Sequence, residues 1–260
     1  MEIQKMNTAR GWVWIKQGFQ LIQCNPLLSI TTALVGAMSI FIAMLVPAIG
    51  PLLALVLLPI FLAGYMRICR ALEEGEEVEL AHLFAGFKHR TASLVSLGAF
   101  LMLGFLFASA VMMMVGGEAF TQLMEQIQAT DNPQLLMEAL GSAGSGVALA
   151  IILGFGLVLI LLVAWQYAPM LVFFSGLPPF VAMHASFLGT LRNIAPYTVY
   201  SLLMQVLALL LGILPFGLGM ILLLPLGLTS LYVSYRNIFP WLDELKTPPP
   251  DAANNNATEI

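Results

Sequence analysis

Long apolar runs alternate with short polar stretches along almost the whole chain. Six runs, at 27–46, 51–68, 92–115, 147–174, 194–214 and 218–235, hold almost nothing but hydrocarbon side chains and small residues. A helix needs about 20 such residues to cross about 30 Å of hydrocarbon, so six membrane-spanning helices are predicted. Two short connections, 47–51 and 215–219, are dense in proline and glycine and predict tight turns, each folding two spans into a hairpin. Pro59 and Pro225 fall inside spans and predict kinks, which a bundle tolerates.

The polar stretches carry a second pattern. Leu80, Leu83, Phe84 and Phe87 recur at helical spacing, as do Trp12, Ile15, Phe19 and Ile22, and again Phe180, His184, Phe187, Leu188 and Leu191. Each set predicts a short amphipathic helix in the plane of the membrane interface, apolar side down. Each contains a glycine (Gly18, Gly86, Gly189) and each precedes a span. The order interfacial helix, span, outer turn, span therefore occurs three times, over about 11–72, 79–176 and 179–242. The first and last copies agree best: LVPAIGPLLALVLLPIFLAGYMR and ILPFGLGMILLLPLGLTSLYVSYR both run from a proline turn through an inner proline to tyrosine and arginine. The middle copy holds an outer insertion instead. There, apolar positions on either side of Asp131, Asn132 and Pro133 predict two short amphipathic helices.

Charge adds a direction. Only 9% of the 260 residues are charged and 60% are hydrophobic, too few charges to cover a globular surface. With six alternating spans, all ten Lys and Arg fall on one side: Lys5, Arg10, Lys16, Arg67, Arg70, Lys88, Arg90, Arg192, Arg236 and Lys246. The outer insertion carries Glu118, Glu125, Asp131 and Glu138 and no base. The positive-inside pattern then predicts both termini in the cytoplasm of a bacterial inner membrane. The acidic island Glu73, Glu74, Glu76, Glu77 reads as a solvated turn around Gly75, with Glu79 in the first turn of the following helix. The N-terminus lacks the apolar core and cleavage site of a secretory signal. Cys24 and Cys69 show no metal-ligand spacing and are expected reduced. The segment 243–260, rich in proline and asparagine, is expected to be a disordered tail to a single membrane domain spanning 1–242.

Candidate chemistry is sparse. Apart from Arg67 at the inner end of the second, no charged residue lies inside a span, which argues against ion-coupled transport. The glycine–serine run at 141–146 has Ala143 where a serine-protease motif would need serine. Met112, Met113 and Met114 read as apolar filler. Small residues at Ser29, Ala33, Ala37, Gly104, Ala108, Ala150 and Gly154 predict close helix packing. The polar or aromatic positions left as candidate substrate or lipid contacts are Gln166, Tyr167, Gln205, Trp12, Trp14 and Arg192. Gln205 is expected to hydrogen-bond a neighbouring helix.

Gly11, Trp12, Trp14, Ile15, Gly18, Phe19 and Pro26, with Gly75, Leu83, Phe84, Gly86 and Phe87, resemble an uncharacterised family of proteobacterial six-span inner-membrane proteins. More loosely the chain is similar to the membrane-anchor domain beside some bacterial glycerophosphodiester phosphodiesterases, without their catalytic domain. The resemblance implies no catalytic residue and no cofactor. The chain thus reads as an all-α polytopic bundle, not an enzyme, whose partners are membrane lipids and a protein partner or second copy, with no nucleic acid. The alternative is a transporter or flippase for an apolar or amphipathic small molecule. One consequence is directly measurable: a membrane-impermeant amine reagent applied to intact cells should leave Lys88 and Lys246 unmodified, and should label both after the membrane is opened.

Overall fold

The computed structural model describes residues 3–129, 132–142, 144–213 and 218–240. The described residues are helical throughout, with no strand. The helices are α1 (Arg10–Cys24), α2 (Pro26–Met44), α3 (Gly50–Glu74), a 3₁₀ turn (Leu80–Phe84), α4 (Ala85–Lys88), α5 (Thr91–Ala129), α6 (Pro133–Ser142), α7 (Ser145–Trp165), α8 (Ala168–Ser175), α9 (Pro179–Arg192), α10 (Ile194–Gly212) and α11 (Leu218–Ile238). Five stretches are long and apolar enough to cross a membrane: α2, α3, α5, α7 with α8, and α10. The sixth predicted span is α11, 21 residues long. The predicted tail at 243–260, with Lys246, and the turn residues 214–217 lie outside the described residues.

Local sequence explains most boundaries. Pro26 opens α2, and the Asn25 side chain accepts from the Leu28 N–H at 3.2 Å. Gly75, at φ 69°, ends α3 in the left-handed conformation that glycine adopts without steric cost. Three outcomes differ from the sequence expectation. The second span runs six residues past its predicted end at 68, because Arg70 and Glu74 pair along the helix at 2.8 Å. The fourth span breaks at Gln166 and Tyr167, where Pro169 begins α8. The third continues to Ala129 through a kink at Gly117, φ 57°, so the first predicted outer helix is its continuation.

The order short helix, long helix, long helix is present three times, and the packing follows it. The 3₁₀ turn and α4 pack on α3, α9 packs on α7 and α8, and α1 packs on α10 and α11. Each short element thus rests on the last long element of the unit before it, and α1 closes the ring onto the third unit. The faces in contact are not the ones that bulky apolar residues mark. In α9 Phe180, Leu188 and Leu191 stay exposed, while Ala182, Ser186, Gly189 and Thr190 are buried. In α1 Trp12 and Phe19 stay exposed, and the buried stripe is Gly11, Trp14, Ile15, Gly18, Leu21 and Ile22. In α9 small residues let backbones approach and the large ones are left outside, whereas in α1 Ile15 and Ile22 of the predicted face are buried together with the glycines that allow the approach.

The approach is close. A Cβ on Gly18 would lie 2.8 Å from the Ser230 backbone nitrogen, and one on Gly64 would lie 3.0 Å from the Leu83 Cα and collide with its carbonyl. Beside these contacts α3, α8 and α11 converge into the main core: Tyr65, Met66, Cys69, Tyr167, Met170, Tyr232, Tyr235 and Phe239 are all buried. This core sits at the end of the bundle that carries Arg67, Arg70, Arg90 and Arg236, called here the charged end. Towards the other end α2, α5, α7 and α10 expose their large apolar side chains. Gly64→Ala should therefore lower the unfolding temperature in detergent, at a cost of about 1–3 kcal/mol from overpacking. Gly36→Ala, whose added Cβ meets nothing nearer than 3.7 Å, should not lower it.

Candidate functional site

Two cavities lie one above the other against α3 and α11. The larger, about 640 Å³, opens at the charged end. Its walls are Arg10, Gln17 and Gln20 of α1, Leu72 and Glu73 of α3, and Tyr232, Arg236 and Asn237 of α11. The N-terminal segment before α1 passes beside it. Gln4 N–H donates to the Ile238 carbonyl at 3.1 Å, Met6 N–H to Asn193 Oδ1 at 2.7 Å, and Asn193 Nδ2 to the Gln4 carbonyl at 2.8 Å. Inside the cavity one carboxylate oxygen, Glu73 Oε2, accepts from the Tyr232 hydroxyl at 2.6 Å and from Arg236 Nε at 3.1 Å. Arg10 forms no ion pair among the described residues. With Glu73 balancing Arg236, the walls carry one net positive charge, on Arg10.

The smaller cavity, about 290 Å³, is apolar. It lies between α2, α3 and α11, lined by Thr32, Ala33, Gly36, Ala37 and Ile40, by Leu58, Phe61, Leu62 and Tyr65, by Leu83, and by Leu224 and Leu228. Leu228 of the groove and Tyr232 of the polar cavity are consecutive turns of one helix, about 6 Å apart in rise. Between the two levels lies a layer of buried hydroxyls: Ser29, Thr32, Thr229 and Ser230. Tyr65 donates to the Ser29 carbonyl at 3.3 Å and Thr229 Oγ1 to the Pro225 carbonyl at 3.0 Å, while Ser29 Oγ and Ser230 Oγ have no partner among the described residues. Polarity thus falls in steps from a charged mouth, through hydroxyls, to hydrocarbon.

The acidic island is resolved by pairing. Arg67 meets Glu76 at 2.6 Å, Arg70 meets Glu74 at 2.8 Å, and Arg236 meets Glu73 at 3.1 Å. The Arg67 guanidinium beside Glu76 holds its carboxyl below the usual carboxylate range. That pairing favours the fold above the ordinary carboxylate pKa and is lost as pH falls through the depressed one. Glu79 caps the 3₁₀ turn, its N–H donating to His82 Nδ1 at 3.2 Å.

The residues singled out in sequence separate into different places. Gln166 and Tyr167 lie together at the break between α7 and α8, in a filled network. Gln166 Nε2 donates to Thr190 Oγ1 at 2.6 Å, its Oε1 accepts from Tyr197 at 2.8 Å, and Tyr167 N–H donates to Ser186 Oγ at 3.1 Å. The Tyr167 hydroxyl meets Ser234 Oγ at 2.9 Å. Trp14 is fully buried, edge-on to Tyr200 at 6.1 Å, whereas Trp12 is exposed. Arg192 donates to the Ile3 carbonyl at 3.3 Å. Gln205 lies on the exposed side of α10 and, against expectation, forms no hydrogen bond to a neighbouring helix among the described residues. The polar cavity's own residues, Arg10, Gln17, Gln20, Glu73, Tyr232 and Arg236, were not singled out as a site. The one signal for them was the repeat comparison, whose two copies both close on tyrosine and arginine.

Comparison with known proteins gives one relative. A probable inner membrane protein of Burkholderia thailandensis is 30% identical over 213 residues, 80% of this chain and 77% of that protein. No family model matches, and no solved structure matches. The relative supports the inner-membrane resemblance and lends nothing to the looser phosphodiesterase-anchor likeness. The network at the helix break makes its own prediction: Gln166→Leu leaves the Tyr197 hydroxyl without its acceptor and should cost about 1–2 kcal/mol of stability, read as a lower unfolding temperature in detergent with helix content unchanged.

Proposed function

The chain belongs to the family of that Burkholderia inner membrane protein and is an integral multi-pass membrane protein; from this premise we propose that it binds a membrane amphiphile with an anionic headgroup and performs no chemistry of its own. The charged end is placed in the cytoplasm, following the distribution of basic residues. The carrying observation is the stacking of the two cavities: a polar one walled by the Arg10 guanidinium, which has no ion-pair partner among the described residues, and an apolar one a helical turn deeper. That sequence of environments matches a lipid, headgroup first and acyl chain after.

Arg10 supports the anionic choice. It is the first residue of α1, where the helix dipole disfavours a cation, so helix stability does not account for it. A guanidinium there is a bidentate partner for a phosphate. Two further observations support a passive role. Within the cavity Glu73 and Tyr232 are bonded to each other, and outside it Gln166 and Tyr167 are spent on helix packing.

A second reading, movement of the amphiphile rather than its retention, rests on the prolines. Pro59 and Pro225 stand beside Leu58 and Leu224 in two of the three helices that wall the groove, α3 and α11. Each removes a backbone hydrogen bond there and gives its helix a point at which to bend.

Protein purified in mild detergent should retain phosphatidylglycerol in preference to phosphatidylethanolamine by native mass spectrometry. Arg10→Gln should lower that preference several-fold, and Gly36→Leu, which fills the groove, should lower retention of both lipids. Retention indifferent to both substitutions would overturn the reading. Lipid scrambling in liposomes that depends on Pro225 would favour movement over retention.

A further inference from the structure

We infer that a second copy of this chain docks along α10, with Gln205 of each copy hydrogen-bonding its counterpart across a two-fold axis parallel to the membrane normal. The argument begins with the most exposed of the predicted spans. Only 6% of the apolar window of α10 is buried inside the protein, the least of the membrane-crossing stretches. Its inner side packs on α1 and α11. Its outer side carries Ala195, Thr198, Leu202, Gln205, Leu209 and Gly212, all exposed.

Those six positions are spaced three and four residues apart in alternation. That is the spacing of a coiled-coil seam, the geometry in which two parallel helices supercoil with left-handed crossing. Small residues lie towards the two ends of the stripe, Ala195 and Gly212, where backbones can come close.

Gln205 selects the occupant. It is the twelfth residue of nineteen in α10, near mid-depth of the span. Its amide forms no hydrogen bond among the described residues. Lipid tails offer neither donor nor acceptor, so an amide facing them is left unsatisfied. A carboxamide donates two hydrogen bonds and accepts at its oxygen, which makes it its own complement. Copies inserted in one orientation and related by a two-fold axis along the membrane normal bring identical residues face to face at the same depth. Gln205 then meets Gln205 in the centre of the seam. A single polar residue in such a seam also fixes its register.

The surface is separate from the cavities against α3 and α11, so the dimer stands or falls independently of the lipid site. Because Gln205 is exposed and forms no hydrogen bond among the described residues, its replacement should leave the fold intact.

The test uses full-length protein in lipid nanodiscs and in membranes, with Cys24→Ser and Cys69→Ala as background. Leu202→Cys and Leu209→Cys should each cross-link into a species of twice the chain mass. Leu203→Cys, packed against the α1–α11 cluster, should not. Gln205→Leu should weaken dimerisation about tenfold by energy transfer between labelled copies, with the unfolding temperature in detergent unchanged. The inference is overturned if neither seam cysteine yields the doubled mass, if the cross-links go to a protein of another mass, or if Gln205→Leu leaves the dimer fraction as it was.

Discussion

Helix backbones touch where Gly18 lies against Ser230 and where Gly64 lies against Leu83, and the arrangement of the whole bundle depends on contacts of this kind. Between membrane helices, burying one apolar side chain against another gains little over leaving it against lipid. What remains is close approach, which needs small residues, and hydrogen bonding, which needs polar ones. This chain uses the first at its short helices and the second at the break between α7 and α8. The large apolar side chains that α2, α5, α7 and α10 leave exposed coat the protein for its solvent.

The same constraint explains why order is concentrated at one end. Tyr65, Tyr167, Tyr232 and Tyr235, with the paired Arg67, Arg70 and Arg236, gather where α3, α8 and α11 converge. Exposed ion pairs such as Arg67–Glu76 contribute little each. The Glu73 cluster differs, because its carboxylate also takes the hydroxyl of Tyr232, which is 1% exposed. That bond ties the end of the first unit to the end of the third, across the point where the ring closes.

How much of this could be read beforehand follows from the range of each interaction. The spans were legible because hydrocarbon thickness dictates their length, and the Pro26, Gly75 and Pro169 boundaries are local. The inward faces of α1 and α9 were not, because bulky residues dominate any apolar periodicity while Gly18, Ser186 and Gly189 mark the contact. The island of glutamates looked solvated, since Arg236 stands 163 positions from Glu73 and no local pattern announces such a pair. Gln166 was legible as unusual but not as satisfied: Thr190 and Tyr197 belong to the next unit. Gln205 showed the reverse, a polar residue in a span expected to have a partner within the chain and having none among the described residues. The cavity residues escaped because they come from α1, α3 and α11, which meet only when the ring is closed.

That closure also accounts for where the cavities lie. The ring has three seams between units, and each is filled differently. Between the first and second units, Phe61, Phe84 and Phe87 pack edge to face and tilted at 5.6–6.3 Å. Between the second and third, the seam is laced by Gln166, Thr190, Tyr197 and Ser186. Between the third and first, α1 packs against α11 by the glycine contact, but α1 carries Gln17 and Gln20 beside that stripe and Arg10 at its head. Polar side chains of this kind cannot pack against hydrocarbon without partners, so the seam opens where they point. The short helix of the first unit takes its support from α10 and α11, which are distant from it in sequence. A repeat that closes on itself therefore has one junction free of the local sequence constraints that shape the other two. The charged cavity and the apolar groove both occupy that junction.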